Sequence, residues 1–225
     1  MNLKKLGILL SLSTLVSINL TTTNALTQED PAWNVEDDTQ VEEPSIQFGE
    51  AISQGKCTIA NQLAGEDGRT LAIALDGFVA ENGQRNKCLL RINTTIPGGF
   101  HVQDVQVLYQ GTAEIPEGEN AIFSRSYIFN GGAFGQVKAE PQKTKFVEDN
   151  PLFQEQDNLT AASVSACGGQ GQLGINMIAR SSKEAALFVD TADVNAGDVQ
   201  LHFDIVPCDT SNSLENPNQV AVGLK

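Results

Sequence analysis

The chain has 225 residues, 28 acidic against 14 basic side chains, a formal charge of −14 and a pI near 4.4. That balance argues against nucleic acid and anionic membrane surfaces as partners, since both are held through clustered Lys and Arg. The length is enough for one domain with a true core.

Residues 1–25, "MNLKKLGILLSLSTLVSINLTTTNA", read as an export signal: Lys4 and Lys5 supply a positive start, Leu6 to Leu20 an apolar run, and Thr23 and Ala25 the small residues of a cleavage site. The competing reading is a membrane anchor. The run is short for a bilayer span and is interrupted by Ser11, Ser13, Ser17 and Asn19, so cleavage before Leu26 is expected, with no stable membrane insertion afterwards. The protein is therefore expected to be secreted, periplasmic or at the cell surface. Residues 26–43 carry seven acids and no base, lack apolar periodicity and predict a disordered acidic arm. The arm holds the only tryptophan, Trp33, either in a plain spacer or as a recognition residue that docks in a partner's pocket.

From residue 44 to 208 the pattern is that of strands. "LAIAL" at 71–75 is apolar. In 88–96, Cys88, Leu90, Ile92 and Ile96 share one face and Arg91, Asn93 and Thr95 the other. In 105–115, Val105, Val107, Tyr109, Ala113 and Ile115 alternate with Gln106, Gln110, Thr112 and Glu114; in 198–206, Val199, Leu201, Phe203 and Ile205 alternate with Gln200, His202 and Asp204. Period two predicts sheets with one wet face. Further strands are expected at 122–129, 143–148, 160–166, 171–180 and 185–190, with 181–188 open to a helical turn or two. Gly and Pro clusters at 97–99, 116–120, 130–135 and 167–171 punctuate them. The fold class is all-β, an antiparallel β-sandwich of jelly-roll or Ig-like kind. Residues 209–225 read as a loose tail.

The four cysteines, Cys57, Cys88, Cys167 and Cys208, are widely spaced, with no C-x-x-C pair and with His101 and His202 far from them. This spacing does not suit a thioredoxin-like centre or a zinc site. Arg85, Lys87 and Arg91 would lower the pKa of Cys88 as a free thiol. An even count in an exported chain points instead to two disulfides, with three pairings open. "GQGQLG" at 169–174 matches a dinucleotide fingerprint, but Leu173, Ile175, Met177 and Ala179 continue it as a strand, so no cofactor is expected and the glycines serve a tight loop or bulge just after Cys167. Asp193, Asn195 and Asp204 imitate a calcium loop whose glycine falls at the wrong position, and a hairpin turn fits better; no metal is expected. Neither histidine sits in a triad context, and no catalytic residue is assigned. Paired carboxylates remain an open route to a hydrolase. Phe123, Tyr127 and Phe129, with Arg125 on the same face, read as core or as a sugar-stacking platform. Asn93-Thr94-Thr95 and Asn158-Leu159-Thr160 are glycosylation sequons.

An ordered set of short motifs runs through 44–208: Gly55 and Cys57; Asp76-Gly77-Phe78-Val79-Ala80; Arg85-Asn86-Lys87-Cys88; Pro97-Gly98-Gly99-Phe100; Tyr109-Gln110-Gly111; Cys167-Gly168; and Cys208. In this the chain resembles the exported domain-of-unknown-function family 4360. The resemblance implies a small secreted β-rich domain with two disulfides, and brings no activity and no catalytic residues. The function expected is that of a secreted, non-catalytic β-sandwich that binds a surface component or small extracellular ligand, or acts structurally. The alternatives are a secreted hydrolase using paired carboxylates, and an inhibitor or effector.

Overall fold

The computed structural model describes residues 44–132, 137–161, 166–189 and 198–208. The front sheet contains β1 (Gln47–Phe48), β2 (Ile52–Gly55), β6 (Arg85–Ile96), β8 (Ala121–Asn130), β10 (Gln142–Phe146) and β12 (Gly169–Ser181), in the order β1-β6-β12-β8-β10 with β2 also against β6. The back sheet contains β3 (Thr58–Ala64), β4 (Thr70–Asp76), β5 (Val79–Glu81), β7 (Phe100–Glu114), β9 (Val137–Lys138), β11 (Asn150–Ala161), β13 (Ala186–Phe188) and β14 (Val199–Pro207). Its order is β3-β4-β14-β7-β11-β9, with β13 joining β5 and β7. All these pairings are antiparallel. The molecule is the expected antiparallel sandwich.

Alternation builds the core. Leu90, Ile92, Phe123, Leu173, Ile175 and Met177 of the front sheet point inward against Leu71, Ile73, Val105, Val107, Leu201 and Phe203 of the back sheet, all buried. Rings lock the layers together: Tyr109 meets Phe123 edge-on at 5.3 Å, and Phe48 meets Phe203 at 5.4 Å. Among the described residues no helix is long and apolar enough to cross a membrane.

Two disulfides close the ends. Cys57 is bonded to Cys88 and Cys167 to Cys208, with Cα atoms 5.5 and 6.0 Å apart. Gly55 has φ +107°, and a Cβ there would lie 2.2 Å from the Lys87 carbonyl oxygen. Only glycine lets β2 approach β6 so closely, which carries Cys57 to Cys88 and accounts for the Gly-x-Cys spacing. Gly111 plays the same part on β7, where a Cβ would meet the Phe188 carbonyl at 2.2 Å.

Two local expectations are corrected. The strand expected at 160–166 is β11, which runs from Asn150 to Ala161; residues 162–165 lie outside the described residues. Its inward positions 155 and 157 are acids, which breaks the apolar alternation that marks the other strands. Residues 181–188 form no helix: β12 ends at Ser181 and β13 runs from Ala186. Residues 1–43 and 209–225, where a signal, an acidic arm with Trp33 and a loose tail are expected, lie outside the described residues.

Candidate functional site

Three polar constellations stand out. The first explains the acids of β11. Arg125 on β8 points between the sheets, 3% exposed, and its Nε and Nη2 donate to the two carboxylate oxygens of Asp157 at 2.8 and 2.9 Å. Its Nη1 donates to Thr144 Oγ1 at 3.0 Å, and Thr144 donates to Glu155 at 2.7 Å. The guanidinium carbon lies 4.9 Å from the Phe123 ring centre and 5.3 Å from that of Tyr109. Tyr127 Oη donates to Asp157, and the Tyr109 and Tyr127 hydroxyls are 2.7 Å apart. Burial works to lower the Arg125 pKa, but its hydrogen bonds to Asp157 and the carboxylate charge outweigh that, so the guanidinium stays charged. Burial first, then the neighbouring Asp157 charge, holds the Tyr109 phenol far above its ordinary range. Tyr127 is pushed up by burial first, then by Tyr109 and by its bond to Asp157. This is a satisfied clamp between the sheets. Phe123 is fully buried here, and Tyr127 and Phe129 pack half-buried against the core, so none of the three is an exposed stacking platform.

The second constellation is at the back. Asp67 Oδ1 accepts from the Arg69 and Thr70 backbone amides at 2.9 Å, and Oδ2 accepts from Thr70 Oγ1 at 2.6 Å. His202 Nδ1 is 3.2 Å from the same Thr70 hydroxyl. A nucleophilic triad would have the imidazole take the hydroxyl proton and the carboxylate orient the imidazole. Here the hydroxyl donates to the carboxylate, and the cluster is a turn brace. Glu66 and Asp67 also line an open hollow with Pro44, Ser45, Gln47, Gly68 and Pro97, but Asp67 is committed to the turn. Asp198, at the loop position where a calcium site needs glycine, is fully buried and accepts from the Leu75 amide at 2.6 Å; it ties β14 to β4. Asp193 and Asn195 lie outside the described residues. Among the described residues no group of three or more His, Cys, Asp or Glu could hold a metal ion.

The third is a groove on the outer face of the front sheet. Gln172 on β12 stands between Asn93 on β6 and Asn130 on β8, and its Nε2 donates to Asn93 Oδ1 at 2.8 Å. With Thr95, Gln170, Gly49, Gly131 and Gly171 these amides line a hollow of about 540 Å³. One step along β12, Gly174 sits between Arg91 and Ile128 and contributes no side chain. The gap makes a second hollow of about 230 Å³, lined by Leu89, Arg91, Ile128, Asn130, Gln172 and Gly174. Asn130 and Gln172 belong to both, so the two are continuous. The groove offers amide donors and acceptors, one guanidinium and a short apolar wall, with no carboxylate. Sequence reasoning placed Arg91, Asn93 and Thr95 on a wet face but missed the groove. Gly174 falls within the strand expected at 171–180, but the glycines of 169–174 are there assigned to a tight loop or bulge; the structure runs β12 from Gly169, and a glycine flanked in register by long side chains is what makes the hollow.

No curated protein matches the chain. Solved structures to which it is similar include TmCBM61 in complex with β-1,4-galactotriose, at 12% identity over 68% of this chain and 88% of that one, with a TM-score of 0.31. Another is the enzymatically active domain of bacteriophage CBA120 tailspike protein 4, at 11% identity over 71% of this chain and 19% of that one, with a TM-score of 0.27. The model of the family described as domain of unknown function DUF4360 matches residues 54–208. That span opens inside β2 and ends on Cys208, so it contains both disulfides, the Arg125 clamp and nearly all of the groove, and the chain belongs to the DUF4360 family.

Proposed function

We propose that this is an exported, non-catalytic binding protein whose ligand lies in the groove over Gly174. The observation that carries the reading is the row Asn93–Gln172–Asn130 beside a glycine gap: amide groups that both donate and accept, fixed on rigid strands, suit a hydroxyl-rich ligand such as a saccharide. The clamp argues for the groove by elimination, because its polar groups are spent on one another. Export is supported by the sequence of residues 1–25 and by two disulfides, which persist in oxidising compartments.

The test is titration of a saccharide panel, neutral and acidic, into the oxidised mature chain while the side-chain amide signals of Asn and Gln are followed by NMR. Shifts at Asn93, Asn130 and Gln172 are expected, and they should vanish in Gly174→Leu, which fills the hollow. Binding that survives this substitution would place the ligand elsewhere. Release of new reducing ends from any saccharide would make the protein a hydrolase and overturn the non-catalytic reading.

A further inference from the structure

The charges of this acidic protein are sorted between its two sheets. The six strands of the front sheet contain no Asp or Glu, and contain Arg85, Lys87, Arg91, Arg125, Lys143, Lys145 and Arg180. In the four long strands β4, β7, β11 and β14 of the back sheet the reverse holds: they contain Asp76, Asp104, Glu114, Glu155, Asp157 and Asp204, and no Lys or Arg. Arg125, Glu155 and Asp157 turn inward to the clamp, which leaves Asp76, Asp104, Glu114 and Asp204 on the outer face of the back sheet. The other six cations of the front sheet are all exposed on its outer face. None of them forms an ion pair with a described residue.

The registers place these cations. Arg85, Arg180, Ile122 and Lys145 form one row across β6, β12, β8 and β10, and Lys87, Ile178, Ser124 and Lys143 form the next. With strands about 4.8 Å apart and residues about 3.4 Å apart along them, these five cations occupy a band roughly 14 Å by 7 Å. Arg91 stands some 14 Å further along β6, at the groove. Arg85 and Arg180 are direct cross-strand partners. Like charges in that position are destabilising, and a surface arranged only for stability and solubility mixes its signs. The absence of any acid from the six strands of this face has a cost to stability that binding of an anion would offset.

We propose that the front face binds a carboxylated polysaccharide, which lies across the basic band and into the amide groove. This rests on the groove reading above and names its ligand class. The chemistry selects among polyanions. Arg forks match carboxylates in two-point fashion, while Ser124, Ser126, Asn93, Asn130 and Gln172 match hydroxyls, so the face suits a chain that carries both. Single-stranded nucleic acid is held by bases stacked on aromatic rings, and no outward position of the front sheet is aromatic. A planar anionic bilayer would touch the band but could not enter the recessed groove. The acidic back sheet repels the polymer and leaves one productive orientation.

The experiment uses the mature, oxidised chain. Polygalacturonate and alginate are titrated in, alongside polygalacturonate whose carboxylates are methyl-esterified, single-stranded DNA, and phosphatidylglycerol vesicles. Binding to at least one of the two acidic polysaccharides is expected. It should weaken at least tenfold in Lys87→Glu/Lys143→Glu, fall steeply with added salt, and stay unchanged in the back-sheet control Asp204→Asn. Esterified polymer should bind at least tenfold more weakly than its acid form. Equal binding of the esterified polymer, indifference to the double charge reversal, or tighter binding of DNA or vesicles than of either polysaccharide would each overturn the proposal. If neither acidic polysaccharide binds but a neutral saccharide still shifts Gln172 in a Gly174-dependent way, the charge inference falls and the groove reading stands; if nothing shifts Gln172, both fall.

Discussion

Asp157 and Arg125 are the residues on which the sandwich is most sensitive to a single change. Both are at least 95% buried and hold each other at two points. Removing one partner strands a charge, so Asp157→Ala is expected to cost about 3–5 kcal/mol, whereas Arg125→Met/Asp157→Leu should recover most of that. Denaturant unfolding of the two variants beside the parent checks it. The same cluster contains both tyrosines of the chain, Tyr109 and Tyr127. Their phenol pKa values are raised in the fold, so the stability they contribute is complete below the ordinary phenol pKa of about 10 and is lost as pH rises above it. No phenolate absorbance should therefore appear while the protein is folded, and both should ionise together as it unfolds in alkali. A phenolate signal preceding the loss of β-sheet circular dichroism would contradict the clamp.

At the scale of elements, β12 shows how a strand can be central and still leave a hollow. Gly174 has no positive φ, and a Cβ there would meet the Ile128 carbonyl oxygen at 3.4 Å and Ile128 Cβ at 3.5 Å, which is ordinary contact. Backbone and packing thus both accept a side chain. Gly174→Ala is expected to stabilise the fold by about 0.4–1 kcal/mol through the unfolded state, measured as a higher unfolding midpoint. The hairpin between β3 and β4 has its own pH signature. Burial would raise the Asp67 pKa, but the bonds from Thr70 and the Arg69 and Thr70 amides outweigh it and lower it. A lowered carboxylate contributes stability that is present above its unfolded pKa of about 3.9 and is lost as pH falls through the folded value. Asp67→Ala should flatten that acid limb of the stability profile relative to the parent.

For the whole molecule, the bonds Cys57–Cys88 and Cys167–Cys208 close stretches of 31 and 41 residues. In the chain-entropy account each contributes about 4 kcal/mol, so Cys57→Ala/Cys88→Ala should lower unfolding stability by that order in denaturant titration. No thiol of the non-reduced chain should react with maleimide, even after denaturation. Deleting residues 26–43, which carry seven acids and no base, should leave the thermal midpoint nearly unchanged, since such a segment has little apolar area to bury.

The sequence by itself determined the class of fold and the use of the cysteines. Alternation in 88–96, 105–115 and 198–206 is a local property with a fixed period, and an even set of spaced cysteines behind an expected export signal points to disulfides. Alternation failed where a partner from the other sheet rewrote the rule. Positions 155 and 157 of β11 face inward as acids because Arg125, thirty residues earlier, faces them, and no local pattern reports a pair so distant. Disulfide pairing likewise depended on which strands lie side by side. Net charge misled in a similar way: −14 is a sum over the chain, and only the sheet topology reveals that six of the cations share the outer face of the front sheet while Asp76, Asp104, Glu114 and Asp204 lie on the outer face of the back one. The groove was decided last of all, since Asn93, Gln172 and Asn130 become neighbours only when β6, β12 and β8 pair in that register.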